Sequence, residues 1–327
     1  MDNQRRTRTA KTIVMTIWAV GVIIALYIVL KPVLLDSRGS HFAPRHWVNL
    51  ERSSDRPGNS SGHPSDKEAF RIAIAPIVSP EKSLEMYGDF IQYIAWKLVR
   101  KPVSLYRPTY SETNDLVRYQ RCDLAIVCTY PFIRGEREFG MQALVVPQIN
   151  GETTYQSLVL VSASSLAANI LDLRGKRFAS ADIISTTGWL FPAMLLMGAG
   201  EDPNHFFGEH LITGSHDRSL EAVVHGYADA AAVHGIVYQQ MIGENPSMLK
   251  KLRVLIKSPP FGIPPVVVHP TMDPGLKEKV QSILLEMHKD GRGKQILARL
   301  QVERFVIPEK DLFAPLRMAV SKLEQWR

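Results

Sequence analysis

The sequence predicts an α/β fold of two lobes preceded by one N-terminal transmembrane helix, and three observations carry that prediction. Residues 12–30 form a 19-residue run without a charge. From residue 71 strand-like and helix-like runs alternate as βαβαβ, the order of a parallel sheet with right-handed crossovers. Near residue 164 the alternation starts afresh and later returns, so the chain leaves one lobe, builds a second and comes back.

At 1.5 Å per residue the uncharged run spans a hydrocarbon core of about 30 Å, and residues 32–35 extend its apolar character past Lys31. Arg5, Arg6, Arg8 and Lys11 precede it, which keeps residues 1–11 in the cytoplasm and exports the rest. A cleaved signal peptide would have an apolar core of about 7–15 residues followed by small residues. Here Lys31-Pro32-Val33-Leu34-Leu35-Asp36 follows, so residues 12–35 read as an uncleaved signal anchor with the C-terminal domain exported. Residues 36–67 are rich in Ser, Gly, Pro, His, Arg and Asp and read as a flexible linker. The chain carries 39 Lys+Arg against 32 Asp+Glu, and 10 of the basic and 5 of the acidic residues lie in 1–67. The positive excess therefore belongs to tail and linker, which argues against a nucleic-acid partner.

In the exported part, 71–75 reads as a buried strand ending at Pro76. Ser79 and Pro80 open a helix in which Leu84, Tyr87, Ile91, Ile94 and Leu98 recur at helical spacing. A strand at 103–106, a short helix at 111–119 and a strand at 124–128 follow, then strands at 143–146 and 157–161 around the turn residues Asn150-Gly151. The second unit has a turn at 173–176, a strand at 177–180, a helix at 186–197, a helix opened by Asp202-Pro203, a helix at 217–225 and a strand at 230–233. Strands at 254–256 and 266–268 and a long helical stretch over 276–300 complete the pattern. The expected organisation is 68–160 with 257–327 in lobe 1 and 161–256 in lobe 2, hinged near 159–162 and 257–258. Cys122 and Cys128, separated by roughly 20 Å of strand, are expected as free, packed thiols.

Chemistry-bearing motifs are few. P-loop and G-x-G-x-x-G patterns are absent, Ser185 does not stand in a G-x-S-x-G elbow, and a triad of Ser185, His216 and Asp229 would leave unused the better role of Asp229 in a turn before a strand, so no enzyme is expected. His205, His210 and His216 lack a matching carboxylate or thiol pattern, so neither a metal nor a cofactor is expected. Ser185-Thr186-Thr187-Gly188 stands between a strand and an apolar helix. By itself it is either a capped helix end or an anion site built from unpaired N–H groups and three hydroxyls.

Eight landmarks, in order, give the chain a resemblance. They are Pro108-Thr109-Tyr110, Cys122-Asp123-Leu124-Ala125, Tyr155-Gln156-Ser157, Leu171-Asp172-Leu173-Arg174-Gly175-Lys176, the Ser185 run, Gly214-Ser215-His216-Asp217, Gly226-Tyr227-Ala228-Asp229 and Lys257-Ser258-Pro259-Pro260. From residue 70 to about 320 the chain resembles the substrate-binding proteins of phosphate, phosphite and phosphonate ABC importers. That family has the two-lobed type II periplasmic binding protein fold. The resemblance implies that Ser185, Thr186 and Thr187 grip a phosphoryl group, that His216 donates to it from a loop, and that the Tyr110 and Tyr155 hydroxyls close the site from lobe 1. It implies a small phosphorus oxyanion as ligand (phosphate, phosphite or an alkylphosphonate) and an ABC permease as partner, or alternatively a signalling membrane protein served by a periplasmic sensor. Members that take an amine-bearing ligand carry carboxylates at positions that fall here on Ile236 and Pro264, which argues against an aminoalkylphosphonate.

Overall fold

The structure, a computed structural model, describes residues 68–326. The anchor expected over 12–35 and the linker over 36–67 lie outside these residues. Among the described residues no helix is long and apolar enough to cross a membrane.

The chain opens with β1 (Ala69–Ile74), α1 (Pro80–Lys97), β2 (Lys101–Tyr106), α2 (Tyr110–Arg118) and β3 (Leu124–Ile126). β1 pairs in parallel with both β2 and β3, as the βαβαβ reading requires. Then come α3 (Thr129–Phe139), β4 (Gln142–Gln148), β5 (Thr154–Tyr155) and β6 (Ser157–Ser162). Asn150 and Gly151 both take positive φ, 52° and 77°, and Ile149 bridges Glu152 across them, so the expected turn is a tight two-residue one.

The second unit runs β7 (Arg177–Ser180), a wide helical turn at Thr186–Leu190 continuing into α4 (Phe191–Gly198), β8 (Glu209–Ile212), α5 (His216–Val224), β9 (Ala230–His234), α6 (Gly235–Glu244) and β10 (Leu252–Lys257). The return supplies β11 (Phe261–Gly262), β12 (Val266–Val268), α7 (Pro274–Glu286), α8 (Gly291–Arg299), β13 (Arg304–Val306) and α9 (Ala314–Trp326). Two sheets result, in the orders β13-β4-β12-β3-β1-β2 and β10-β6-β9-β7-β8.

Several expectations are corrected. Residues 157–160, assigned to lobe 1, lie in the second sheet, because β6 is flanked by β10 and β9 and buried along most of its length. The crossing from one sheet to the other therefore falls at Gln156 and Ser258 and not at 159–162. There Ser157 N–H donates to Ser258 Oγ (2.9 Å), Ser258 N–H to Ser157 O (3.0 Å) and Gln156 Nε2 to Ser258 O (2.7 Å). Ser79 stands at the N-cap of α1, but its hydroxyl does not cap; its N–H instead donates to Asp217 Oδ1 of the other lobe at 3.0 Å. The long stretch over 276–300 is two helices, broken where the Asp290 carboxylate accepts from Arg292 N–H and caps a new start. Both cysteines are free and buried.

Each sheet carries the same clasp. Arg71 on β1 donates its backbone N–H to Asp123 Oδ2 (2.7 Å) and its guanidinium to Oδ1 (3.2 Å), and Arg177 on β7 treats Asp229 alike, at 2.9 and 2.8 Å. An Asp one residue before the neighbouring parallel strand holds the start of the first strand in register.

Candidate functional site

Where β7 ends, Ala181 and Asp182 turn the chain toward the helix beginning at Thr186. Ser185 is the N-cap, with extended backbone, and its Oγ accepts from Gly188 N–H at 3.0 Å. Glycine is required there: a Cβ at 188 would stand 2.9 Å from Ser185 Oγ and 3.3 Å from Ala181 N. The first turn is wound wide, with Phe191 N–H reaching Thr186 O. In that register Thr187 O would need an N–H from residue 192, which is proline and has none. Ser157 Oγ fills the gap, donating to Thr187 O at 2.6 Å. The turn leaves the N–H groups of Thr186 and Thr187 without carbonyls of a preceding turn, beside three hydroxyls that are fully buried.

His216 sits opposite. It is the first residue of α5, with Ser215 as N-cap, and not a loop residue ahead of the helix as expected, because Ser215 O already accepts from Ser219 N–H. Its own N–H bonds to Ile77 O in lobe 1 at 3.0 Å. His234 N–H points at His216 Nδ1 (3.3 Å), which makes Nδ1 the acceptor and places the proton on Nε2. Nε2 lies 3.4 Å from both Ser185 Oγ and Thr187 Oγ1. Burial pushes the His216 pKa down to about 3, with Asp217 opposing only in part, so the ring is a neutral donor near pH 7.

From lobe 1, Tyr110 opens α2 and its buried hydroxyl faces Ser185, while the Tyr155 hydroxyl faces Thr186, Thr129 and Cys128; neither phenol completes a hydrogen bond. Burial raises both phenol pKa values well above the ordinary 10.0, so both stay protonated donors. Thr186 Oγ1 accepts from Tyr130 N–H (2.8 Å) and meets Cys128 Sγ (3.3 Å). Asp182 Oδ2 accepts from Tyr110 N–H (3.0 Å). With the Ser79–Asp217 and Ile77–His216 bonds, these contacts draw the two lobes together over the cluster.

The six residues named from the sequence thus converge. The sequence reading missed Asp182, Ser215, His234 and Cys128. His234 carries a legible signal, a polar residue ending the all-apolar strand Ala230–His234. Its Nδ1 and the Ser215 Oγ are buried and lack a hydrogen-bond partner, like the two tyrosine hydroxyls. The other residues weighed lie apart in role. His205 pairs with Asp202 (2.6 Å), His210 bonds Ser180 Oγ (2.7 Å) and stacks on Trp189, and Asp229 is taken by Arg177.

Two α/β lobes closed over buried, unpaired donors at a helix start make up a solute-binding protein. Residues 72–313 match the family described as the periplasmic substrate-binding protein of phosphonate ABC transporters, and the chain belongs to that family of binding proteins, which are not enzymes. It is 24% identical over 264 residues to the phosphonates-binding periplasmic protein of Escherichia coli K12, covering 79% of this chain and 78% of that one. It is also 24% identical over 197 residues to a probable ABC transporter phosphite-binding protein of Prochlorococcus marinus MIT 9301, covering 57% and 66%. Two crystal structures share the fold. One is a binding protein component of an ABC phosphonate transporter from Pseudomonas aeruginosa (TM-score 0.73, 19% identity, covering 79% of this chain and 86% of that one). The other is the Prochlorococcus protein PhnD1 in complex with methylphosphonate (TM-score 0.70, 20% identity, covering 79% and 99%).

Proposed function

We propose that this chain is a periplasmic receptor that closes its two lobes on a small phosphorus oxyanion, namely phosphate, phosphite or an alkylphosphonate, and hands it to an ABC permease. Residues 12–35 hold it at the inner membrane. The observation that carries this reading is the set of four buried polar atoms without partners, Tyr110 Oη, Tyr155 Oη, Ser215 Oγ and His234 Nδ1, around the start of the helix at Thr186. An unmet buried polar group costs about 1–3 kcal/mol, and several gathered at one point are tolerated where a ligand satisfies them. A tetrahedral oxyanion suits the donors, since each oxygen accepts more than one hydrogen bond. Ser185, Thr186 and Thr187 supply hydroxyls and helix N–H groups, His216 Nε2–H a neutral donor, and the tyrosines close from lobe 1. The relatives named for phosphonate and phosphite, and the neighbour holding methylphosphonate, support the same ligand class. Titration calorimetry of the full chain with phosphate, phosphite and methylphosphonate tests it. Saturable 1:1 binding of at least one is expected, and binding of none, with sulfate or an amino acid bound instead, contradicts it.

A further inference from the structure

The parallel strands of lobe 1 give it two opposite edges. Ile77, Tyr110 and Tyr130 follow the C-terminal ends of β1, β2 and β3 and bond across to lobe 2 around the site. At the N-terminal ends the chain enters at Glu68, whose carbonyl accepts from Lys101 N–H (2.7 Å). Because β1 lies between β2 and β3, the C-terminal ends of α1 and α2 flank that entry. Both helices stop in the same way. Arg100 N–H returns to Ala95 O (2.9 Å) and Arg121 N–H to Leu116 O (2.8 Å), with Val99 and Gln120 in the left-handed region at φ 57° and 52°. Glycine is the usual residue there, and a β-branched valine is strained. No packing offsets that strain, since Val99 is 90% exposed, and Trp96 (56%) and Tyr119 (61%) stand out from the same two helix ends. Cations surround these apolar tips: Arg292 lies over the Trp96 ring (5.5 Å) and Arg121 over the Tyr119 ring (6.0 Å). The neighbouring carboxylates are already taken, Glu68 by Lys101 (3.2 Å), Asp123 by Arg71 (3.2 Å), Asp290 by Lys97 (2.7 Å) and Glu138 by Arg118 (3.6 Å). Arg100, Arg121 and Arg292 have no carboxylate partner among the described residues, and within 96–101 and 115–123 the one unpaired acid is Asp115.

We propose that this edge of lobe 1 is a docking face for an anionic lipid surface, with Trp96, Val99 and Tyr119 entering the headgroup layer and Arg100, Arg121 and Arg292 meeting lipid phosphates. Amphipathic rings collect at that layer, and each cation beside it gains from the negative surface potential. Position favours lipid over an acidic protein. Residue 68 is where the described chain meets the segment joining it to residues 12–35, and the 32 residues 36–67 reach at most about 110 Å. The lobe therefore stays close to the bilayer, and a contact too weak to hold a free protein is populated. That last step rests on the anchor reading above. The site lies at the other end of the same strands, about 20 Å away for six residues. Docking therefore turns the cleft away from the bilayer, and the face must let go before the ligand is handed to a permease.

The test uses the full chain with Val99→Cys carrying a polarity-sensitive fluorophore, which labels selectively because Cys122 and Cys128 are buried. The protein is reconstituted in excess vesicles of phosphatidylcholine alone or mixed with phosphatidylglycerol. Tyr227→Cys, 69% exposed on lobe 2, carries the same label as a control. A blue shift is expected at residue 99 with phosphatidylglycerol only, reversed in 1 M salt, where the screening length falls to about 3 Å. Residue 227 should not respond. Arg100→Gln and Arg121→Gln should each lower the docked-to-free ratio about fivefold and leave methylphosphonate affinity unchanged. No phosphatidylglycerol-dependent shift at residue 99 would overturn the proposal and leave the face to an acidic protein; an equal shift at 227 would overturn it as well. Flotation with pure phosphatidylcholine vesicles reports the anchor separately. Failure to float would overturn the anchor, while the shift at residue 99 still decides the docking face.

Discussion

A histidine buried neutral between two hydroxyls is a compact way to bind an anion without burying a cation. In the proposed site the tautomer of His216 would serve this end, because the His234 N–H occupies Nδ1 and commits the proton to Nε2. The same burial makes the folded chain sensitive to acid. His216 has a folded pKa of about 3 against an ordinary 6.5, so between those values the unfolded chain binds a proton that the folded one refuses. Its contribution to stability is complete above pH 6.5 and is lost as the pH falls toward 3. His210, held near 4 by burial, and His234, lowered well below 6.5, act in the same sense. The melting temperature of the ligand-free chain should therefore fall between pH 7 and pH 4, and His216→Asn should flatten the fall; equal slopes in scanning calorimetry would contradict this. Thr186→Ala and His216→Ala should each weaken oxyanion binding by about 1.5–3 kcal/mol, the range for hydrogen bonds to charged groups. Unchanged affinity in both would move the site elsewhere.

At the scale of elements, the helix start at residue 186 was legible because a strand, three hydroxyls, a glycine and an apolar run follow one another directly. Its wide turn was not, since that depends on Pro192 and on Ser157 reaching in from β6 to serve Thr187 O. The helix α3 escaped notice for local reasons. Pro131 and Gly135 both speak against a helix, yet Pro131 falls in the first turn, where no N–H is needed. Gly135 packs under the Met141 side chain, whose Cε would stand 2.6 Å from a Cβ placed there. The hinge was misplaced for a similar reason: the apolar run at 157–161 looks the same whichever sheet receives it. One substitution tests the helix start directly. Gly188→Ala should push Ser185 Oγ out of its capping position, destabilising the domain by about 1–3 kcal/mol, as overpacking of a tight site does. Oxyanion affinity should drop as well; a urea midpoint and an affinity both equal to the parent's would contradict the cap as the organiser of the site.

For the molecule as a whole, the two sheets repeat one device. Arg71-Ile72-Ala73-Ile74-Ala75 with Asp123-Leu124-Ala125, and Arg177-Phe178-Ala179-Ser180-Ala181 with Asp229-Ala230-Ala231, make the same clasp in each lobe. The sequence shows the likeness once the structure says where to look; with a long period and few shared residues it stands below the level at which a repeat declares itself. Lobe 1 then offers two helix starts to carboxylates of lobe 2. α1 is met by Asp217, and Asp182 takes the Tyr110 N–H at the head of α2. Since the core clusters draw on both lobes and on the returning C-terminal segment, residues 68–327 should form a monodisperse, cooperatively unfolding protein without residues 1–67. Aggregation of that fragment under conditions where the full chain is soluble in detergent would contradict this.

The central claim is that the lobes close on a phosphorus oxyanion held by the start of the helix at Thr186 and by His216. A crystal structure of the chain grown with methylphosphonate measures it most directly. The account predicts the phosphoryl oxygens within about 2.5–3.2 Å of donors from Ser185, Thr186, Thr187 and His216 Nε2, with the Tyr110 and Tyr155 hydroxyls completing the shell from lobe 1. Methylphosphonate bound at any other place, with the four orphaned polar atoms still unmet, would contradict it.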